Sequence, residues 1–279
     1  MPTYFRLLLA ASGLILATTA AAQRRTIGDL AIQPEGQVEV ALQGNDYVLA
    51  GVNVLFSTNS PGTVLIGGQL RLGYEHFWNE RWSWGGTFRA LRGDRSIAGY
   101  GDIVGMPGNV IPGLLLRHTS QMGGFTFGQR LGAEYAMTFD NTVHGPNSIN
   151  RSRALARLRL DVERQFALGA AVVLRPRLSY EPVVFLRLQR PEGANQERVV
   201  DFASLRAELG LRLSPQFDVT PWASSQTIFL NALPQFDANG NLTGGGRVNL
   251  VVPVVGFDVR LTLFRGEPSA ERKQLPTQH

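Results

Sequence analysis

The sequence predicts an all-β protein, a transmembrane antiparallel β-barrel of ten strands, with twelve possible, that follows a cleaved signal peptide. Three observations lead to this prediction: long segments alternate between apolar and polar residues, the polar face carries charges, and the connections alternate between short and long. Alternation with a period of two is typical of a β-strand because successive side chains point to opposite faces. A wall that is apolar on one face and charged on the other separates lipid from a polar lumen.

The segment 125–139 shows this pattern most clearly. Apart from Gln129, its odd positions are apolar or aromatic, while its even positions include glycines, threonines, Arg130 and Glu134. A secreted β-sandwich is the soluble alternative, but its strands usually run about five to six residues and its inner face is apolar. The length of the segment and its charged face therefore favour the barrel.

Residues 1–22 are predicted to be a signal peptide. Arg6 provides the positive charge, an apolar run follows over 7–17, and small residues occupy the cleavage position at 20–22. The apolar run is shorter than the roughly 20 residues that a membrane-spanning helix needs. We therefore expect the mature chain to begin at Gln23, and the lack of cysteine excludes disulfides and thiolate-bound metal.

Ten strands are predicted in the barrel domain, residues 47–264. They run approximately over 47–57, 63–76, 81–92, 109–119, 123–139, 152–163, 170–188, 198–213, 216–230 and 246–264. Residues 23–46 are predicted to be a periplasmic lead-in or an extra strand, and residues 265–279 a periplasmic tail. The alternation slips by one residue at Gly256, which predicts a β-bulge there.

The connections between these strands alternate in length. Short links occur at 77–80, 120–122, 164–169 and 214–215, and long polar links occur at 93–108, 140–151, 189–197 and 231–245. Outer-membrane barrels have short periplasmic turns and longer extracellular loops. This arrangement predicts that both ends of the barrel lie in the periplasm, as an even strand number requires.

Aromatic residues cluster beside the short links and predict a girdle at the membrane interface. They are Phe77, Trp78, Trp82, Trp84, Phe125, Phe127, Phe166 and Phe217. The last strand ends at Phe264 and resembles the C-terminal signal by which outer-membrane proteins are recognised for assembly. The sequence thus predicts the outer membrane of a Gram-negative bacterium, with membrane lipid and the barrel-assembly machinery as partners.

The polar faces of the strands predict a charged lumen. By parity the lumen includes eleven arginines, at 71, 89, 117, 130, 157, 159, 175, 177, 206, 212 and 260, and seven carboxylates, at 75, 134, 161, 163, 181, 208 and 258. The lumen would then be positive by about four charges, and the arginines would either pass anions through an open pore or pair with the carboxylates as a plug. Ten of them are the candidate anion-lining residues: Arg71, Arg89, Arg130, Arg157, Arg159, Arg175, Arg177, Arg206, Arg212 and Arg260. Because the arginines are spread over many strands, the chain's net charge of +5 does not indicate a nucleic-acid surface.

Two R-x-R tracks, 157–159 and 175–177, resemble the arginine-lined walls of small monomeric porins specific for acidic oligosaccharides. They are equally similar to outer-membrane barrels whose role is unknown, and the resemblance covers most of 47–264 as a pattern only. It implies a porin-like passive channel for small anionic solutes, with no enzyme activity and no cofactor. A non-conducting structural barrel of the envelope is the alternative.

A third and weaker reading is a lipid-modifying enzyme. The spacing of His118 and Ser120 is similar to that of outer-membrane lipid A deacylases, and Glu134 is the acid that would orient the histidine. The predicted topology places this pair at a periplasmic turn, whereas lipid A lies in the outer leaflet. Glu134 has inward parity, His118 has outward parity, and Gln121 stands where that family has asparagine. We therefore predict no catalytic residues, and no histidine has the spacing of a metal ligand.

Overall fold

The computed structural model describes residues 24–42, 45–58, 62–93, 109–138, 153–169, 172–186, 200–239 and 242–265. These residues form a closed, mostly antiparallel β-barrel of eleven strands, so the predicted fold class is confirmed. The described part of the chain contains no helix that is long and apolar enough to cross a membrane. The predicted signal peptide and almost all of the predicted tail lie outside the described residues.

The ten predicted strands are all present, and one further strand precedes them. The strands are β1 (Arg24–Ile27, continued by Ala31–Ala41), β2 (Asp46–Ser57), β3 (Val64–Phe77), β4 (Trp82–Gly93), β5 (Asn109–Met122), β6 (Phe125–Thr138), β7 (Arg153–Arg164, continued by Phe166–Leu168), β8 (Val172–Leu186), β9 (Phe202–Ser214), β10 (Phe217–Phe236) and β11 (Leu242–Phe264). Each pairs with its neighbour in sequence, and β1 closes the barrel against β11.

The closing seam is parallel, and it corrects the predicted count of ten or twelve strands. β1 pairs with β2 in antiparallel fashion and with β11 in parallel fashion, with Ala31 opposite Val254 and Ala41 opposite Phe264. An odd number of strands in sequence order always leaves the first and last strands parallel. Arg24 and Phe264 therefore lie at opposite rims, so the prediction that both termini lie on one side is wrong, although Tyr47 and Phe264, the ends of the predicted ten-strand domain, lie at the same rim.

The two rims of the barrel differ in their connections. The short-turn rim carries the links at 42–45, 78–81, 123–124, 169–171 and 215–216, and the long-loop rim carries those at 58–63, 94–108, 139–152, 187–201 and 237–241. At one of the two turns of two residues that the structure describes, Gly123 and Gly124 have φ values of 60° and 79°. Glycine adopts these positive angles without steric cost, which permits a two-residue hairpin. The predicted alternation of short and long links therefore holds from β2 to β10.

The hairpin of β10 and β11 is longer than predicted. Pairing continues beyond residue 230 to the partners Phe236 and Leu242, so most of the predicted long link 231–245 is strand. The register shifts between Ala232 and Gln235, and again before Phe236. A register shift breaks the period of two along a strand, which is why this segment looks like a loop in the sequence.

The outer face of the barrel is apolar, and aromatic residues stand on it near the short-turn rim. Six of the eight predicted girdle residues are exposed there: Trp78, Trp82, Trp84, Phe125, Phe166 and Phe217. Phe127 is half-buried. Phe77 instead packs edge-on against Tyr47, with 5.4 Å between ring centroids, beside a small cluster of buried residues at this rim.

Gly256 lies in regular pairing, so the bulge predicted there is wrong. Its partner on β10 is Trp222, and the register is continuous on both sides. The indole of Trp222 points into the barrel, where its Nε1 donates a hydrogen bond to Asp258 at 2.8 Å. A side chain at position 256 would overlap both this indole and the carbonyl oxygen of Gln33. Glycine is therefore required by the close approach of β1 and Trp222.

We expect Gly256→Ala to destabilise the barrel by about 1–3 kcal/mol, because the added methyl overpacks the closing seam. Gly36→Ala is the matched control, since a Cβ at Gly36 on β1 would meet nothing within 4 Å. Thermal unfolding in detergent, followed by circular dichroism, measures both variants. Equal melting temperatures for the two variants would show that the seam adapts to the extra carbon.

Candidate functional site

The interior of the barrel contains most of the charged side chains of the described wall, so it is the candidate functional site. Its side chains form three zones between the two rims: an apolar ring, a polar cavity and a layer of ion pairs. Each zone is made of the inward-facing residues that successive strands place at one depth. These residues share the inner face because side chains alternate between lumen and exterior along every strand.

The apolar ring lies next to the long-loop rim. Every strand contributes at least one buried side chain to it: Ala31, Leu55, Ile66, Leu91, Ile111, Ala136, Leu155, Val183, Phe202, Ile228, and Val252 with Val254. These residues fall into two packed clusters, and the side chain of Leu250 contacts both. Burial of this apolar surface at about 25 cal/mol per Å² stabilises the ring. The ring fills this end of the lumen with hydrocarbon.

A cavity, which we call the chamber, lies on the inner side of the ring. It has a volume of about 90 Å³. Many of its lining residues are the inward positions next to a ring residue on the same strand. Arg89 lies two positions from Leu91, and Arg157 lies two positions from Leu155. Six arginines line it: Arg71, Arg89, Arg130, Arg157, Arg159 and Arg206. Glutamine and serine side chains complete the wall, with Glu134 and Glu181 as its two carboxylates.

A chain of ion pairs runs along the chamber wall. Glu134 accepts hydrogen bonds from Arg89 at 2.5 Å and from Arg157 at 3.0 Å. Glu181 accepts hydrogen bonds from Arg157 and Arg130, each at 2.7 Å. Arg157 therefore joins the two carboxylates. Charge-assisted contacts of this length are strong and fix the guanidinium groups in place.

The salt-bridge layer lies between the chamber and the short-turn rim. We use this name for all interior ion-paired groups that do not line the chamber. At its centre Glu163 pairs with both Arg177 and Arg175, the latter at 3.2 Å. Glu208 pairs with Arg206 at 2.7 Å and with Arg177 at 3.4 Å. These side chains are almost completely buried, so the layer fills the lumen.

Four more contacts belong to the layer, two around the closing seam and two among β3, β4 and β5. Arg260 pairs with Glu39 at 3.4 Å and with Asp218 at 3.8 Å. Arg117 pairs with Glu75 at 3.3 Å, and Ser83 donates a hydrogen bond to the same carboxylate at 2.5 Å. β1 thus contributes a carboxylate to the ionic interior in addition to closing the wall.

The interior is less positive than the sequence predicts. Among the residues that the structure describes, eleven arginines and ten carboxylates form interior ion pairs. The predicted excess of about four charges is therefore reduced to one, because Glu35 and Glu39 on β1 and Asp218 on β10 also face inward. Their parity is visible in the sequence, but β1 had no assigned place in the wall.

All ten candidate anion-lining arginines point into the interior, but at two depths. Arg71, Arg89, Arg130, Arg157, Arg159 and Arg206 line the chamber, whereas Arg175, Arg177, Arg212 and Arg260 belong to the salt-bridge layer. The R-x-R track at 157–159 thus faces the chamber and the track at 175–177 does not. Parity predicts the face of a residue, while its depth depends on strand register.

The candidate enzyme residues lie on opposite faces of the wall. His118 stacks on Trp82 at the outer surface, with 4.5 Å between ring centroids. Glu134 points inward, where Arg89 and Arg157 bind it. Within the described ranges no three potential metal-ligating side chains group together.

The fold and the interior define a closed β-barrel with an ion-paired lumen. Comparison with known protein families, with characterised proteins and with solved structures finds no match to this chain. We therefore infer the function from the geometry of the chain itself.

Proposed function

We propose that this chain is an outer-membrane β-barrel that does not conduct, and that it serves as a structural component of the bacterial envelope. The observation that carries this proposal is the filled lumen, in which buried ion pairs and the apolar ring occupy the cross-section at two depths. Barrels of about eight strands are filled by side chains, whereas those of roughly 16–18 strands enclose a water channel. Eleven strands lie nearer to the first case.

The outer face supports the membrane part of the proposal. Exposed leucine, valine and aromatic side chains cover the wall, and three of the four tryptophans, Trp78, Trp82 and Trp84, lie near the short-turn rim. An apolar band with an aromatic girdle is typical of outer-membrane barrels. On this proposal the short-turn rim faces the periplasm, lipid surrounds the wall, and the barrel-assembly machinery inserts the chain.

A porin-like passive channel for small anionic solutes is the second candidate. The chamber favours it, because six arginines line one cavity. The salt-bridge layer favours the closed barrel, since a passing anion would have to cross the buried carboxylates Glu163 and Glu208. The absence of enzyme activity also remains part of our proposal, and it is supported by the separation of His118 from Glu134 across the wall.

We expect the purified protein, reconstituted in planar lipid bilayers, to produce no stepwise conductance. The physical reason is that ions would have to displace packed hydrocarbon and break charge-assisted pairs to pass. Folded protein is verified beforehand by the shift in gel mobility on heating, and an open porin in the same lipid serves as the positive control.

Regular conductance steps with anion preference would overturn the proposal and favour the porin. That preference should fade as salt is raised, because exposed charges are screened over about 8 Å at physiological ionic strength. A protein that remains a soluble monomer without detergent would contradict the membrane location itself.

A further inference from the structure

We infer that the chamber is a binding site for a small oxyanion, such as a free phosphate or carboxylate, which it holds without letting it through. This goes beyond the proposed structural role, because a barrel can be closed to conduction and still bind a solute. Three observations carry the inference: the charge of the chamber wall, two buried polar groups that lack hydrogen-bond partners, and the negative charge of the layer beneath.

The interior is polarised along the barrel axis. Of the ion-paired groups that the structure describes, the chamber wall holds six arginines and two carboxylates, an excess of four positive charges. The salt-bridge layer holds five arginines and eight carboxylates, an excess of three negative charges. Arg71, Arg159 and Arg206 of the wall also pair with carboxylates of the layer, which reduces the positive charge that an anion in the chamber meets, while the layer itself repels an anion. This arrangement suits retention better than passage.

Two buried side chains of the chamber wall, Ser224 and Gln69, carry a polar atom with no partner among the described residues, and so does the half-buried Gln226, whose Oε1 is an acceptor. Ser224 on β10 is 8% exposed, and its hydroxyl makes no hydrogen bond. Gln69 on β3 is 5% exposed; its Oε1 accepts from Asn53 at 3.2 Å, while its Nε2 has no acceptor. Both residues line the chamber. Buried polar groups are nearly always satisfied, so these two groups indicate a ligand or ordered water.

Both groups can donate hydrogen bonds, and so can every arginine of the wall. An oxyanion accepts several hydrogen bonds at once, and guanidinium groups bind carboxylate and phosphate through two parallel N–H donors. The planar fork of arginine matches these groups better than it matches a spherical halide. The ligand class that fits the chamber is therefore a small anion with two or more acceptor oxygens.

Isothermal titration calorimetry of the full-length protein in a phosphate-free maltoside detergent, with inorganic phosphate as the probe, tests this inference. We expect saturable binding at one site per chain. Ser224→Ala should weaken it about tenfold, because one hydrogen bond to a charged ligand is lost. Arg89→Gln should weaken it at least as much, while Glu134 keeps its contact with Arg157 at 3.0 Å.

Ser83→Ala is the matched control. It makes the same chemical change as Ser224→Ala, but Ser83 lies outside the chamber and donates a hydrogen bond to Glu75 of the salt-bridge layer. Its affinity for phosphate should equal that of the wild type.

Lack of saturable binding, or equal affinity in Ser224→Ala and the wild type, would overturn the inference. If Arg89→Gln fails to fold, the serine variant still decides, because no hydrogen bond of the described fold depends on the Ser224 hydroxyl. If the protein both binds phosphate and produces conductance steps in bilayers, the closed-barrel proposal is wrong and the binding-site inference still holds.

Discussion

The double variant Arg175→Gln/Arg177→Gln is expected to lose a large part of the stability of the barrel. Both arginines pair with Glu163, whose side chain is 6% exposed, and the remaining contact of that carboxylate is a hydrogen bond from Gln165 at 3.0 Å. Leaving a buried charge without its counter-ions costs on the order of 3–5 kcal/mol. The free energy of unfolding of a folded domain is typically about 5–15 kcal/mol, so this cost is a large part of it. Thermal unfolding by circular dichroism in detergent measures the loss.

Two further variants separate charge pairing from general damage. Adding Glu163→Gln to the double variant removes the uncompensated carboxylate and should restore much of the melting temperature. Arg92→Gln removes an exposed arginine at the end of β4, and its effect should stay within about 0.5 kcal/mol. A double variant that melts within a few degrees of the wild type would mean that water solvates the layer.

The strands and their inward faces could be predicted because both follow from one local rule. Side chains alternate across a strand, so an arginine two positions from another, as at 157 and 159, faces the same side. The outward parity of His118 and the inward parity of Glu134 follow from the same rule, and the structure places both accordingly. Neither statement requires knowledge of which strands are neighbours.

The closing seam could not be predicted in this way, because it is a long-range pairing. Ala31 and its partner Val254 are separated by almost the whole wall, and no local pattern records that they meet. β1 carries the expected alternation, with Val38 outward and Glu39 inward. The sequence carries no signal that β1 pairs with a parallel strand. This pairing decides whether the barrel has ten, eleven or twelve strands.

The apolar ring was missed for a different reason. An inward apolar residue at a strand end breaks the rule that the lumen face is polar, so it looks like a slip in the alternation. The residues before Gly256 illustrate this, since Val252 and Val254 are inward and buried whereas Val255 is outward and exposed. Three valines on both faces look like a bulge in the sequence. The apolar residues on the inner face belong instead to a layer of hydrocarbon inside the barrel.

Phe202→Ala should open this ring and make the chamber accessible from the long-loop rim. Phe202 and Ile228 are direct partners on β9 and β10, both buried within the ring. Truncating a buried phenylalanine costs about 3–5 kcal/mol, and part of that cost is the cavity left behind. The protein has no cysteine, so a single Ser224→Cys substitution provides a unique thiol in the chamber. The rate at which a water-soluble thiol reagent modifies it reports how often the ring opens.

We expect this thiol to react slowly when the ring is intact and at least about tenfold faster with Phe202→Ala, which corresponds to lowering the opening free energy by roughly 1.4 kcal/mol. Gln121→Cys, at an exposed position beside the short turn that joins β5 and β6, is the control and should react at one fast rate in both backgrounds. If the thiol at position 224 reacts as fast as that at 121 while Phe202 is present, the ring does not seal the chamber. Solutes would then enter freely, and the apolar ring would serve stability alone.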